Sequence, residues 1–164
     1  MKLSEHFDSD EFVCECGIGH TMDAELINKL EELFTAINAD AILVTSGYRC
    51  TDCSVKVGGT KTDAHTRGIA SDIIVRKGTS YVDSETVAEY AEKIGFSGIG
   101  IIDSHAVHVD VRNPHNYVNS HWFGDERTGN DNIKTFIRNV SHETFSTAIT
   151  LDGNKKYKII LEEM

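Results

Sequence analysis

His65-Thr66-Arg67-Gly68-Ile69-Ala70-Ser71-Asp72-Ile73-Ile74-Val75 carries both the strand pattern and the first chemistry of the chain. Ile69 to Val75 alternates as a strand does, with Ile69, Ser71, Ile73 and Val75 on one side and Ala70, Asp72 and Ile74 on the other. An acid between apolar neighbours is costly to bury unless a cation or metal ion meets it. His65 stands ahead of Asp72 on a loop. A second segment, His105-Ala106-Val107-His108-Val109-Asp110, opens another strand. His, Asp and His with one position left open is the donor set of catalytic zinc. A single histidine among the eight of this chain is more often a surface or satisfied core residue, so spacing alone leaves both readings open.

Upstream, Met22, Leu26, Leu30, Leu33, Phe34 and Ile37 recur at spacings of three and four, which predicts an amphipathic helix over Met22 to Ile37. Asp23 and Glu25 suit its N-terminal end. Ala41 to Thr45 reads as a short buried strand that stops at Ser46-Gly47. Residues 50 to 68 read as a long loop. Downstream, Ser84 to Ile94 reads as a second helix, capped by Asp83 or Ser84 and stopped by Gly95. Gly98 to Ile102 and Val107 to Val111 read as a hairpin. After Pro114 a short helix over Ile133 to Val140 is expected. A second hairpin is expected from Phe145 to Ile149 and Tyr157 to Leu161 around Asp152-Gly153-Asn154. The expected fold is a small α+β domain whose short antiparallel sheet carries the site and whose helices cover one face. Residues 1-114 are expected to form the site-bearing domain. Residues 115-164 are a C-terminal extension that either continues the core or makes a small add-on module.

The chain has 164 residues, which suits one compact domain. Such a chain buries roughly 70% of its unfolded surface and needs no disulfides to hold a core. The formal net charge of −10 argues against nucleic acid as a partner, because phosphate binding needs a basic face. No apolar run approaches the roughly 20 residues of a membrane span. The opening MKLSEHFDSDEF lacks the apolar stretch of a secretory signal, so cytoplasmic synthesis is expected.

Three motifs in order carry a resemblance: Ser46-Gly47-Tyr48-Arg49, His65 through Asp72, and His105-Ala106-Val107-His108. Together they resemble the zinc D-alanyl-D-alanine carboxypeptidases and the L-alanyl-D-glutamate endopeptidases of bacteria and phages, whose fold is shared by the hedgehog signalling domain. The likeness covers roughly residues 4 to 112, including the run from Gly95 to Asp103. It implies a zinc metallopeptidase that hydrolyses D-amino-acid-containing stem peptides of peptidoglycan, an endolysin-like enzyme acting on the cell wall after release. It implies His65, Asp72 and His108 as zinc ligands and His105 as general base. It implies Arg49 as the cation that steadies the developing carbonyl oxygen charge. The family usually has Ser two residues before the first ligand, whereas this chain has Asp63. A carboxylate in the cleft there would repel a terminal carboxylate, so an endopeptidase is expected over a D-Ala-D-Ala carboxypeptidase. A non-catalytic zinc-bearing binding module and a structural phage component are the alternatives.

Cys14-Glu15-Cys16 and Cys50-Thr51-Asp52-Cys53 leave three readings open: a structural four-thiolate zinc, buried free thiols, or disulfides formed after release. Tyr48, Tyr117 and Trp122 either line a substrate groove or pack in the core. Asp110, two residues past His108 on the same side of the strand, either orients that ligand or makes a surface ion pair.

Overall fold

Two aspartates start the longer helices. In this computed structural model, which describes residues 1–113 and 121–138 and the strand backbone at 147–151 and 155–159, helix α1 spans Ala24–Ile37. Asp23 caps it by accepting the Glu25 amide at 2.8 Å, and Asn38 ends it in a left-handed conformation. Its Leu26, Ile27, Leu30, Leu33 and Ile37 are buried, as the spacing predicts. Helix α2 is Thr51–Lys56. Helix α3 is Ser84–Ile94, capped by Asp83 and stopped by Gly95 at φ 91°. It buries Val87, Ala88 and Ala91.

The main sheet runs β1-β2-β5-β4-β6, from strands β1 (Ala41–Ser46), β2 (Ala70–Lys77), β4 (Gly98–Ile101), β5 (Ala106–Asp110) and β6 (Trp122–Asp125). A two-residue strand β3 (Ser80–Tyr81) pairs with the end of β2. Most pairs are antiparallel, but β6 lies parallel to β4, so the sheet is mixed. Strand β5 returns the chain to the end of the sheet where β4 begins, so β6, starting opposite Gly98, can run parallel to β4.

Residues directly opposite across neighbouring strands share a face. Ser71, Ile73 and Val75 of β2 match Val107 and Val109 of β5, Ile99 and Ile101 of β4, and Phe123 of β6. The apolar members of that face join the α1 and α3 side chains in one buried cluster. The other face carries Asp72, His108, Asp110, Gly98, Gly100, Trp122 and Gly124.

Two expectations change. The loop expected over 50 to 68 contains α2 and a single 3-10 turn at His65–Arg67. No helix forms over 133–138. That stretch is instead tied to the body: the Ile133 amide bonds to Phe123 O at 3.0 Å, and Phe136 packs on Phe123 at 5.5 Å. Glu92 of α3 accepts from Thr135 Oγ1 and from the Phe136 amide. Residues 121–138 thus extend the core. Strands β7 (Thr147–Leu151) and β8 (Lys155–Ile159) pair antiparallel as a separate two-stranded sheet. The outer ends expected for that hairpin, its Asp152-Gly153-Asn154 turn, Val140 and Tyr117 lie outside the described residues. Among the described residues no helix is long and apolar enough to cross a membrane.

Candidate metal centre

Asp72 and His108 are cross-strand partners, so β2 and β5 place their side chains together. His65 arrives from the 3-10 turn just before β2, where Gly68 at φ 70° redirects the chain. His65 Nε2 lies 3.1 Å from His108 Nδ1 and 3.2 Å from Asp72 Oδ1, and His108 Nδ1 lies 2.9 Å from the same oxygen. Donors at the usual zinc distances on a tetrahedron lie about 3.3 Å apart.

The outer ring nitrogens fix what the inner ones present. His65 Nδ1 lies 2.7 Å from Gly47 O, and a carbonyl can only accept, so Nδ1 carries the proton. His108 Nε2 donates in the same way to the buried Asp110 carboxylate at 3.1 Å. Two imidazole lone pairs and one carboxylate oxygen therefore converge on one point. Only a cation satisfies all three, and imidazole with carboxylate suits zinc. Without a metal the cation is a proton. Burial alone would lower the His108 pKa, but the carboxylates of Asp110 and Asp72 outweigh it and raise it to about 9. Burial likewise opposes ionisation of Asp72, yet the hydrogen bonds from His108 and His65 hold it well below the usual carboxylate range. Arg112 grips Asp110 with its backbone amide at 3.0 Å and its Nε at 2.9 Å. Asp110 is thus the residue that orients His108, and the surface ion pair is excluded by its full burial.

A cleft of about 490 Å³ opens beside Asp72, walled by Glu15, Tyr48, Arg49, Cys53 and Val57 among others. Arg49 donates from Nη2 to Asp72 Oδ2 at 2.8 Å, leaving Oδ1 for the shared point. Its Nε is buried without a partner. Tyr48 lines the cleft and stacks on His20 at 4.6 Å.

Two expected site residues are elsewhere. Asp63 does not line the cleft. Its carboxylate accepts from Ser54 Oγ, from the Thr60 amide at 3.2 Å and from the Thr66 amide at 3.0 Å, which braces the loop ahead of His65. His105 does not join the three donors. Asp103 accepts the His105 and Ala106 amides at 2.8 and 2.7 Å and turns the chain there. The His105 ring faces Val82 O at 3.3 Å and Tyr81 at 5.8 Å.

Trp122 belongs to the site. Its ring stands edge-on to His108 at 6.0 Å. A Cβ at Gly100 or Gly124 would come within 2.8 or 2.5 Å of that ring, and one at Gly98 would strike the Asp110 carboxylate. The sequence signal is glycine at alternate positions of β4, which opens a trough on one face. Glu15 has no such signal. The four cysteines are also together, with every Sγ within 4.8 Å of the others.

The model of the peptidase M15 family matches residues 5–110. A search of curated proteins returned no match. The matched stretch contains the three converging donors, Arg49 and all four cysteines. It spans well over half of the chain, its peptidases use zinc, and the donor geometry fits that ion, so the chain belongs to the peptidase M15 family.

Proposed function

We propose that this M15 metallopeptidase holds zinc on His65, Asp72 and His108 and hydrolyses D-amino-acid-containing stem peptides of peptidoglycan, cutting within the stem. The convergence of two imidazole lone pairs and the Asp72 oxygen beside an open cleft carries the reading. Zinc there supplies Lewis acidity to water and to the scissile carbonyl. Arg49 keeps Asp72 turned by holding its second oxygen and sets its positive charge at the cleft, where negative charge on the scissile carbonyl would develop. Glu15 is the cleft carboxylate with no partner among the described residues, which makes it the candidate to take and return a proton.

The preference for an internal bond rests on charge. Among the described residues lining the cleft, Arg49 is the one cation, and it is engaged by Asp72. A free terminal carboxylate would meet no dedicated partner there and would face Glu15. Digestion of purified muropeptides by zinc-loaded and by chelated protein, read by mass spectrometry, tests the reading. Fragments cut inside the stem are expected from the loaded protein alone. Free D-Ala as the sole product would make it a carboxypeptidase, and no product from either sample would leave a binding module.

A further inference from the structure

We propose that Cys14, Cys16, Cys50 and Cys53 hold a second, structural zinc ion that clamps the N-terminal loop to α2 and so builds one wall of the cleft. The Sγ atoms of Cys14 and Cys16 lie 3.5 Å apart, and those of Cys16 and Cys50 lie 3.6 Å apart. A tetrahedral four-thiolate zinc places its sulfurs about 3.8 Å apart. A disulfide needs about 2.05 Å, and all four cysteines are free. The backbone is shaped for the same purpose. Gly17, at φ 86°, closes a tight turn in which its amide bonds to Cys14 O at 2.7 Å and the Cys14 amide bonds to Ile18 O at 3.0 Å. The Cys50 amide donates to Cys14 Sγ at 3.3 Å, across 36 residues of sequence.

Helix α2 shows what the metal contributes. It has six residues and buries only Cys53 and Ser54, while Val55 and the following Val57 are exposed. No apolar side chain of α2 anchors it to the core, so beside the Ser54 bond to Asp63 its cysteines are its attachment. Such an ion contributes folding free energy directly. Its position matters for chemistry because Cys14, Glu15 and Cys53 all line the cleft that contains Arg49 and Asp72. Glu15 sits between two of the ligands, which fixes its carboxylate at that wall.

The test is metal content and metal environment in reduced, full-length protein. The wild type should hold two zinc ions per chain, and His108→Ala should hold one. X-ray absorption of the zinc in His108→Ala should show sulfur neighbours alone, at about 2.3 Å. Cobalt in the same variant should show thiolate-to-metal charge transfer, and Cys16→Ser/Cys50→Ser should lose it. Limited proteolysis should then open the chain near residues 13–18 and 50–57. One zinc in the wild type with none in His108→Ala would overturn the proposal, as would a mass lower by four hydrogens in protein purified without reductant, which marks two disulfides. A single zinc with sulfur neighbours that survives His108→Ala would uphold this site and refute the three-ligand one.

Discussion

His108 illustrates how one side chain serves two neighbours. Its Nε2 is held by Asp110, and its Nδ1 faces Asp72 and His65. In the metal-free protein its pKa is raised from 6.5 to about 9, so its charge stabilises the fold fully below about 6.5 and ceases to do so as pH rises through about 9. Zinc must displace that proton. Apparent zinc affinity should therefore rise roughly tenfold per pH unit as pH approaches about 9 from below and flatten above it. Competition with a chelator across that range measures it, and a flat profile would contradict the assignment. Asp110→Asn should weaken zinc binding roughly 10–100-fold while the protein stays folded. At the same scale, Glu15→Gln should lower kcat about 100-fold or more with little change in KM. His105→Ala should leave turnover near wild type. The reverse pattern would return the base role to His105.

At the scale of elements, β4 works by lacking side chains. Gly98 and Gly100 leave room on one face for the Asp110 carboxylate and the Trp122 ring. Gly98→Ala should cost about 1–3 kcal/mol of stability, because the added methyl meets that carboxylate. It should also weaken zinc binding through His108, read by denaturant unfolding and metal titration on one sample. Helices α1 and α3 and strand β2 were legible in the sequence because each combines a clear period with a capping or breaking residue, Asp23, Asp83, Gly95 and Gly68 among them. Helix α2 was not, since it is six residues long and buries only Cys53 and Ser54, which leaves no apolar period to read. His65, Asp72 and His108 were singled out by the family resemblance, with the strand-borne acid as the local clue, and the fold brings their donor atoms together. The placing of His105 was not legible because spacing says nothing about which way a turn faces, and Asp103 turns the chain beside the start of α3, where the Ser84 amide bonds to Ser104 O at 3.0 Å. The local role of Asp63 was not legible either, because its partners are loop amides and the Ser54 hydroxyl.

For the whole molecule, the family match ends at Asp110 but the sheet continues. Strand β6 covers the backbone of β4 in parallel register, Gly98 with Trp122 through Ile101 with Asp125. Trimming the chain after Asn113 should expose that edge and promote self-association, measurable by light scattering, whereas trimming after Arg138 should leave a monodisperse, zinc-binding protein. A short strand pairing over a long connection carries little local signal, which is why Trp122–Asp125 was not recognisable as part of the sheet. Trp122 is also the one tryptophan in the sequence, and its indole stands 6.0 Å from the His108 imidazole. A protonated imidazole quenches indole emission, and occupancy by zinc removes that proton. The protein therefore carries its own optical gauge: fluorescence should brighten as zinc loads, giving a label-free titration of this centre alone.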